Sequence, residues 1–580
     1  MSSSQLLKQV TVLPYNTLPS QEMIGSHVAI DTELTGMNEE KLHRPTGNLI
    51  CVTMSGVGWV TLFDDMSKVQ SALNAVQEKR WIFHNAPFDL FHLRRWFNID
   101  ERSPDKLWDT MIFERLLWSG YYTSFSLADL ARRYLKVVLD KKVREQFSKK
   151  GSVLTNEQRI YAMEDAVATY MSWEYQVRQI DLRKDDNIYK LWNEIEGPMI
   201  EIVQRFKGFS ILSDKWEEMA EKNESIKNAL ANKLGFNPGS PKQVKDALAK
   251  QGIIVFSTQE SDLLDFIHHD IVKKILEYRK TAKLASTYGK KFLHRFVENG
   301  KIFSHYWTVG ADSGRMASSN PNLQNIPSDK NFRGCFVASL GNVLGIYDYH
   351  QQEPCITAFE SQDQALIDAI ANHRDLHLET AIRVFKDESI TKDDYRRFLG
   401  KILNLGITYG LGPAALRRQV NIYYSENNID MSMGYREALD LIKAYFESYP
   451  GIDEWSKHQK WLGEHQGYVT TAMGRRRYLN PYSFNWKNIT VNDPIQGGAA
   501  DQVKLAIVMF DKACKASGID LPIVAVVHDE IVIDVPKESA KSIGGILQHC
   551  MEAAGHKLYP GIVWTVSSPK EFPISWAGKD

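Results

Sequence analysis

The sequence has almost no net charge and no long apolar run, and each absence excludes a class of protein. Its 580 residues contain 70 Lys and Arg against 71 Asp and Glu, so the net charge is −1 and no global field attracts nucleic acid or a membrane. Any site for a polyanion must therefore be local. No apolar run approaches the roughly 20 residues that span a bilayer, which predicts a soluble protein that does not contact membranes.

Cysteine is scarce, and the N-terminus lacks a targeting signal. The five cysteines are scattered without a C-x-x-C pair, which is typical of buried thiols in a reducing compartment and excludes a disulfide or zinc framework. The first 20 residues lack the apolar core of a signal peptide. We therefore expect a cytoplasmic protein, located in the host cytoplasm if it is viral.

The chain also lacks Gly/Ser-rich linkers, repeats and low-complexity segments, so we expect its lobes to pack against one another. Its length corresponds to about three to four lobes. From residue 26 the pattern runs strand, strand, strand, helix, strand, helix, which predicts an α/β domain ending near residue 180. A second α/β core is predicted from 301–365 and 490–580, interrupted by a helical insertion at 366–465.

Four acids and a tyrosine in the first domain are candidates for a metal site. Asp31 and Glu33 lie two apart on the first strand, so their side chains face the same way. Asp165 follows Tyr161 by four residues on one helical face, and Asp89 begins another helix. Converging acids repel one another unless cations lie between them, and two Mg²⁺ ions about 3.5–4 Å apart would clamp a phosphodiester for attack by water. A lone D-x-E is usually a pair of solvated surface acids, but D-x-E, N-x-x-x-D and Y-x-x-x-D in this order are a far more specific signal for a catalytic metal site.

Two aspartates at strand ends predict a second metal pair. The segment LGIYDYHQQEP (344–354) places Asp348 at a strand end, with a helix beginning near Pro354. The segment LPIVAVVHDEIVIDV (521–535) predicts a hairpin with His-Asp-Glu at its tip, which includes Asp529. Taken alone, this tripeptide would be an ordinary charged turn.

The helix between these two segments, YRRFLGKILNLGITYG (395–410), supports the second site. Arg397, Lys401 and Leu405 step by four along one stripe. Cations at this spacing suit a triphosphate, because Arg grips oxygens bidentately and Lys offers a point charge. A solvated basic face is the ordinary alternative. Gly406 within the helix is costly unless a bend or a close approach requires it.

These patterns resemble two known families. The first 180 residues, with D-x-E, N-x-x-x-D and Y-x-x-x-D in order, resemble the DEDDy class of 3′–5′ exonucleases, which have a ribonuclease-H-like fold. The remainder resembles the family A (Pol I-like) DNA polymerases, most specifically in DSGRMASSNPNLQNIP (312–327) and NDPIQGGAAD (492–501). The resemblance implies an α/β multidomain fold with a ribonuclease-H-like exonuclease domain at 1–185 and a right-hand polymerase at 186–580. Its parts would be a thumb at about 200–300, a palm at about 301–365 and 466–580, and fingers at about 366–465.

The resemblance implies two Mg²⁺ ions at each site, with Mn²⁺ able to substitute. Tyr161 would position the attacking water at the exonuclease site, and Lys401 would protonate the leaving group at the polymerase site. The metal ligands would be Asp348 and Asp529 for synthesis, and Asp31, Glu33, Asp89 and Asp165 for excision.

The resemblance also implies the substrate contacts. Glu353 and Tyr409 would form a wall beneath the sugar that excludes a 2′-hydroxyl. Arg315 and Gln496 would probe minor-groove acceptors, which correct base pairs present in similar places. The further nucleotide contacts would be Arg397, Lys401, His377, Gln351 and Leu405. The further DNA contacts would be His528 at the primer terminus, Asn325, and Lys283 and Lys290 in a basic thumb run.

The sequence departs from the polymerase pattern in two places. After Asp348-Tyr349 the family usually has Ser-Gln-Ile-Glu-Leu-Arg, whereas residues 350–355 are His-Gln-Gln-Glu-Pro-Cys. Leu405 stands where an aromatic residue is usual, so dideoxynucleotide discrimination does not carry over. Both changes leave open a preference for a modified or non-standard nucleotide.

We therefore expect a monomeric replicative enzyme that copies primer-template DNA from deoxynucleoside triphosphates and proofreads the product. The exonuclease strand begins by residue 28, which leaves no room for a separate 5′-nuclease domain and favours a bacteriophage or similar small-genome enzyme. No motif identifies a processivity factor or other replisome partner. The alternatives are a 3′–5′ exonuclease whose polymerase half acts only as a DNA-binding scaffold, and a non-enzymatic replisome scaffold. Two complete sets of metal-binding acids disfavour both.

Overall fold

The computed structural model describes residues 4–35, 47–140, 142, 143, 146, 147, 153–407, 409–427 and 429–578. A second basic stretch of the sequence, KKVREQFSKKG at 141–151, lies mostly outside these residues. Within them, no helix combines the length and apolar character needed to cross a bilayer.

The N-terminal part is built on a six-stranded sheet with the order β1-β4-β3-β2-β5-β6. Strands β2, β3 and β4 are antiparallel, whereas β2, β5 and β6 are parallel. The strands are β1 Thr11–Val12, β2 His27–Thr35, β3 Asn48–Gly56, β4 Trp59–Phe63, β5 Arg80–Phe83 and β6 Leu107–Asp109. The helices are α1 Ser4–Leu7, α2 Gln21–Ile24, α3 Met66–Ala75, α4 Ala86–Trp96, α5 Thr110–Trp118, α6 Leu127–Leu130 and α7 Asn156–Arg183. The predicted order of three strands, helix, strand and helix is confirmed, and the short β1 and β6 were missed.

The next part of the chain is mostly helical. It comprises α8 Asp186–Leu191, α9 Gly197–Val203, α10 Ser213–Leu234, α11 Pro241–Ala249, α12 Glu260–Leu263, α13 Asp270–Thr287 and α14 Lys290–Phe296. A separate apolar cluster that includes Val244, Leu248 and Ile275 holds its outer end. A small sheet at its base has the order β12-β7-β9-β8, with β7 Phe209–Ile211, β8 Val297–Glu298, β9 Lys301–Ile302 and β12 Phe336–Val337.

A four-stranded antiparallel sheet carries both predicted polymerase aspartates. Its order is β16-β17-β13-β18, with β13 Asn342–Tyr349, β16 Ile523–Val527, β17 Glu530–Pro536 and β18 Val566–Ser567. Strands β16 and β17 form the predicted hairpin, but its turn is only His528-Asp529, because Glu530 already belongs to β17. Helices α15 Lys330–Arg333, α16 Gln352–Ser361, α23 Trp486–Ala516 and α24 Ala540–Leu558 belong to the same region, as does a hairpin of β10 His305–Trp307 and β11 Ala317–Ser319.

The predicted helical insertion is confirmed between α16 and α23. Its helices are α17 Gln364–Ala371, α18 Leu376–Phe385, α19 Tyr395–Ile407, α20 Pro413–Glu426, α21 Tyr435–Ser448 and α22 Pro450–Gln466. A hairpin of β14 Tyr468–Thr470 and β15 Arg476–Tyr478 leads back to the sheet.

The lobes pack against one another, as the absence of linkers predicts. One apolar cluster extends from Val28 in the first sheet through Trp192 to Val503 on α23. Beside it, Arg475 forms buried ion pairs with Glu196 and Asp501. All five cysteines are buried free thiols, which confirms their predicted role.

Candidate active sites

The exonuclease residues converge on one cavity. One carboxylate oxygen each of Asp31, Glu33 and Asp165 lies within 4.8 Å of the others. Asp89 and Tyr161 line the same cavity. The strand spacing of two and the helical spacing of four thus bring together all five residues that the sequence predicts, with acids as hard oxygen donors suited to a divalent cation.

Asp89 is oriented by a residue that the sequence analysis missed. The backbone N–H and the hydroxyl of Thr32 donate to Asp89 Oδ1, at 3.1 and 2.7 Å. Thr32 stands between Asp31 and Glu33, so the strand that supplies two candidate ligands also fixes a third acid. Its position in D-T-E was the available signal.

Asp109 fixes the start of the helix that carries Asp89. Its carboxylate accepts from the amide of Ala86 at 2.6 Å and from those of Met111 and Ile112 at 2.8 and 3.0 Å. It therefore ties α4 to α5, and full burial raises its pKa although these amides oppose the shift. An Asp directly before a helix is a recognisable N-cap, so the sequence carried a signal for this contact.

The pairing of two strands in register brings the backbone positions of the polymerase aspartates close together. Asp348 on β13 lies opposite Glu530, which directly follows Asp529. The two predicted strand ends therefore adjoin, although they lie far apart in sequence. Asp529 lines a cavity of about 380 Å³. Other predicted residues that line it are Arg315, Gln351, Glu353, Leu405, Tyr409 and His528.

The predicted sugar wall is a hydrogen-bonded unit. The Tyr409 hydroxyl lies 2.6 and 2.7 Å from the two carboxylate oxygens of Glu353. Burial, together with Glu353, raises the pKa of Tyr409 to about 12. Arg315 Nη2 donates to Glu353 Oε1 at 2.7 Å, which the sequence analysis did not anticipate. One carboxylate therefore connects the sugar wall to the residue expected to read the minor groove.

The predicted triphosphate cations lie on α19, which ends at Ile407. Lys401 is exposed, whereas Arg397 is half-buried and donates through Nε and Nη2 to Asp375 at 2.9 and 2.7 Å. Asp375 also caps α18, where its side chain accepts from the backbone N–H of His377. Burial lowers the pKa of the His377 imidazole. Asp375 was missed, although an Asp before a helical run is an N-cap signal.

Glycines let α18 and α19 approach each other and let the chain turn after α19. A Cβ on Gly406 would lie 2.5 Å from the Leu411 side chain, which confirms the predicted close approach. Gly400 was not singled out, yet a Cβ there would overlap the backbone oxygen of His377. Gly410 has φ +74, a conformation that favours glycine.

The other residues predicted to contact DNA lie on separate elements and do not line the 380 Å³ cavity. Gln496 is half-buried on α23 and does not line the 380 Å³ cavity. Asn325 is exposed, and its backbone oxygen accepts from the Tyr288 hydroxyl. Lys283 is exposed on α13, and Lys290 pairs with Glu221 at 2.5 Å.

The basic thumb run, which extends from Lys273 to Arg295, is not a uniform phosphate-binding face. Arg279, one of its cations, donates to the backbone oxygens of Pro238 and Thr258 and so holds two loops of the same lobe. Part of this charge therefore stabilises the lobe.

Family models match both halves of the chain. The model described as DNA polymerase family A matches residues 208–568, and the model described as 3′–5′ exonuclease matches residues 15–175. The solved structure of the polymerase domain of Pol1 from M. smegmatis, in complex with DNA primer-template and dNTP, superposes with a TM-score of 0.79. It is 24% identical and covers 96% of this chain and 97% of that chain, so the likeness shows a shared fold.

The curated relatives are bacterial. DNA polymerase I of Aquifex aeolicus is 30% identical over 548 residues, which is 88% of this chain and 91% of that protein. DNA polymerase I of Lactococcus lactis is 32% identical over 402 residues, or 63% of this chain and 44% of that protein. DNA polymerase I of Treponema pallidum is 27% identical over 575 residues, which is 92% of this chain and 55% of that protein. The chain thus spans about half the length of the last two, and these relatives give no support to a bacteriophage origin.

The order of the two sites along the chain agrees with these matches. The carboxylate cluster of the first sheet lies within the exonuclease match, and Asp348 and Asp529 lie within the polymerase match. The chain belongs to DNA polymerase family A and is a DNA polymerase with an N-terminal 3′–5′ exonuclease domain.

Proposed function

We propose that the chain extends a DNA primer at the Asp348–Asp529 site by two-metal nucleotidyl transfer and trims 3′ ends at the Asp31–Glu33–Asp165 site. The observation that carries the proposal is the register of β13 and β17. It joins two aspartates from distant segments beside a cavity that also holds the Glu353–Tyr409 wall.

The donor sets suit Mg²⁺. Three carboxylate oxygens within 4.8 Å of one another form a hard, anionic donor set at the exonuclease site, and paired strand ends present two carboxylates at the polymerase site. When bound, a pair of Mg²⁺ or Mn²⁺ ions would lower the pKa of the attacking group, which is the primer 3′-hydroxyl at the polymerase site and water at the exonuclease site, and would neutralise charge on the phosphate. Asp89 would complete the exonuclease set, and Tyr161 would orient the attacking water.

The residues of α18 and α19 hold the triphosphate in this mechanism. Lys401 gives a proton to the leaving pyrophosphate, and His377 donates a hydrogen bond to a phosphate oxygen. Arg397 grips the phosphates with the guanidinium donors that its contact with Asp375 does not use, since a guanidinium has five N–H groups.

The cavity wall selects the sugar and tests the base pair. The Glu353–Tyr409 unit stands where a 2′-hydroxyl would lie, so it favours deoxynucleotides by steric exclusion. Gln351 and Leu405 flank the sugar. Arg315 and Gln496 donate to the minor groove of the new pair, while His528 and Asn325 support the primer strand. Lys283 and Lys290 contact backbone phosphates, so binding should weaken with added salt.

The proposal extends to organisation and partners. The exonuclease domain would occupy 1–185 and the polymerase 186–580, with the thumb, palm and finger limits given above. The enzyme would act as a cytoplasmic monomer on primer-template DNA and deoxynucleoside triphosphates in a replicative role. His-Gln-Gln-Glu-Pro-Cys at 350–355 and Leu405 would set any preference for a modified nucleotide.

Primer extension with Mg²⁺ tests the polymerase assignment. Asp529→Ala should lower extension at least about 10³-fold, since it removes a metal ligand, and should leave degradation of single strands intact. The exposed Asp520→Ala, on the loop before β16, is the matched control and should extend normally. Loss of both activities in a folded Asp529→Ala protein would contradict two separate sites. Normal extension would support the reading of this half as a DNA-binding scaffold.

Degradation of a labelled single strand tests the exonuclease assignment. Asp31→Ala combined with Glu33→Ala should stop degradation while extension persists. The control is Glu22→Ala, an exposed acid of the same domain. Persisting degradation would refute the cluster as the site of trimming.

A further inference from the structure

One of several contacts between the exonuclease domain and the polymerase is made by the short segment at 118–122, WSGYY, here called the junction loop. The Ser119 hydroxyl donates to the backbone oxygen of Asp312 at 2.5 Å. The backbone N–H of Tyr478 donates to the oxygen of Ser119 at 2.8 Å. Ser119, which is buried, therefore connects the loop before Arg315 with strand β15.

The junction loop has no room for a side chain at Gly120. A Cβ there would overlap the backbone oxygen of Tyr478 and lie 2.7 Å from Nη1 of Arg477. Gly120 also has φ +80, which L side chains rarely adopt. Any larger residue must therefore push the junction loop away from β15.

Aromatic and cationic side chains hold the junction loop in place. The guanidinium of Arg183 on α7 lies 4.0 Å from the ring centroid of Trp118 and 5.9 Å from that of Tyr478. Trp118 and Tyr121 also pack on Tyr478, with ring centroids 5.7 and 6.0 Å apart. The contact therefore fixes the orientation of the loop as well as its distance from β15.

On the polymerase side, the contacted loop leads directly to Arg315. Asp312 forms an ion pair with Arg477 of β15. The amides of Gly310 and Ala311 both donate to the backbone oxygen of Arg315, at 2.9 and 3.1 Å. This turn cannot move at Asp312 without moving Arg315.

The 310–315 turn also packs closely against Arg475 and Gly497. A Cβ on Gly314 would lie 2.5 Å from the Arg475 side chain, and one on Gly497 would lie 2.9 Å from the Ser313 oxygen. Displacement of the junction loop would therefore be passed on to Arg315 and to its partner Glu353 rather than absorbed locally.

We propose that the junction loop is a positioning element of the polymerase site, in which Ser119 and Gly120 hold the 310–315 turn so that Arg315 meets the minor groove of the primer terminus. This rests on the role proposed above for Arg315. The exonuclease domain would thereby contribute to base-pair discrimination during synthesis, independently of excision. A shift of about 1 Å in a positioning group can change a rate 10²-fold, so the effect is measurable.

The test uses the full chain carrying Asp31→Ala and Glu33→Ala, so that excision does not alter the measured extension. Extension is timed from a matched terminus and from one whose terminal purine carries C–H in place of N3. N3 is a minor-groove acceptor, and a hydrogen bond from a charged donor to it corresponds to about a 10-fold or larger penalty when it is lost. Arg315→Ala should abolish this penalty.

Gly120→Ala should remove most of the N3 penalty, and Ser119→Ala should remove part of it, because Arg315 then no longer reaches the acceptor. The matched control is Gly58→Ala, which also has a left-handed backbone (φ +73) in the exonuclease domain. Among the described residues, none but its chain neighbours has a heavy atom within 4 Å of the new Cβ. This variant should keep the full penalty. Ser119→Ala deletes only a hydroxyl and decides the question if Gly120→Ala does not fold.

Two outcomes separate the inference from the proposed function. A full penalty in folded Gly120→Ala and Ser119→Ala, with none in Arg315→Ala, would overturn the positioning role while leaving Arg315 as the minor-groove reader. A full penalty in Arg315→Ala itself would overturn the role of Arg315 and with it the inference.

Discussion

The two carboxylate sites are assembled differently. At the exonuclease site, strand β2 and helix α7 bring three carboxylate oxygens within 4.8 Å of one another. Thr32, on the same strand, orients a fourth acid, Asp89 of α4. At the polymerase site, one predicted aspartate lies on β13 and the other in the turn before β17, with which β13 pairs. The cations expected to hold the triphosphate lie on α19, where Arg397 is engaged with Asp375.

This difference indicates how each site treats its substrate. A site whose acids already converge can act on any 3′ end that reaches it. At the polymerase site the candidate cations lie on a helix apart from the two aspartates, and we expect the correct nucleotide to bridge them, so that it can be required for assembly of the site. Substitutions on α19 should therefore change synthesis alone, and substitutions on β2 should change trimming alone.

Among substitutions that leave the candidate metal ligands intact, the largest effect is expected for Lys401→Ala. Removing the general acid should lower the rate of nucleotide incorporation by about 10²–10³-fold, because a positioned proton donor contributes that much. Single-turnover incorporation and single-strand degradation are measured side by side, and degradation should be unchanged. Lys443→Ala, an exposed lysine of α21 in the same helical region, is the control. Equal losses of both activities would remove the contrast between the sites.

A smaller effect is expected at the sugar wall. Glu353→Ala should raise the ratio of ribonucleotide to deoxynucleotide incorporation by about 10–100-fold, because it opens space beneath the sugar. Tyr409→Phe deletes only the hydroxyl that bonds to Glu353 and should change the ratio much less. Competition between the two nucleotides at one template base gives the ratio. An unchanged ratio in Glu353→Ala would end the assignment of the wall.

The corresponding change on the exonuclease side is Thr32→Val. Loss of the hydroxyl that donates to Asp89 should slow trimming about 10-fold, as expected when a ligand loses the hydrogen bond that orients it. Extension should not change. Thr32→Ser keeps the hydroxyl and should restore trimming, whereas equal slowing by both variants would assign the effect to packing.

The sequence alone predicted which residues belong to each site better than it predicted the strand pairing and hydrogen bonds that join them. Period two placed Asp31 and Glu33 together, and period four placed Tyr161 with Asp165, because these are local properties of a strand and a helix. The hairpin that carries Asp529 was predicted for the same reason. The pairing of Asp348 with Glu530 could not be read from spacing, since nearly two hundred residues separate them and register is a tertiary property.

The connecting residues were missed because their roles depend on three-dimensional partners. Thr32 and Asp375 have ordinary local roles in a strand and a helix cap, and only the fold brings them to Asp89 and Arg397. The bond between Arg315 and Glu353 joins two motifs that the sequence analysis treated separately. In the basic thumb run, charge density does not show that Arg279 donates to backbone oxygens of its own lobe, whereas the DNA contacts predicted for Lys283 and Lys290 stay predictions.

The smallest effect is expected at Asp493, beside the junction between the two domains. Its carboxylate lies 3.9 Å from Arg477, and burial raises its pKa to about 7, although Arg477 opposes the shift. Because the folded-state pKa lies above the ordinary value of 3.8, the stability that the protonated form contributes is lost as the pH rises from about 4 through 7.

Asp493→Asn keeps the neutral form at every pH, so its melting temperature should exceed that of the parent by an amount that grows between pH 5 and pH 8 to about 2 °C or more. Thermal unfolding across this range measures the difference, and subtraction of the parent cancels other titrating groups. The exposed Asp520→Asn, outside the junction, is the control for this type of substitution. A difference for Asp493→Asn that stays flat with pH would mean that Arg477 keeps this carboxylate ionised. Asp493 and Arg477 would then form an ion pair at the junction across this pH range, as Arg475 does with Glu196 and Asp501, and burial would not keep Asp493 neutral.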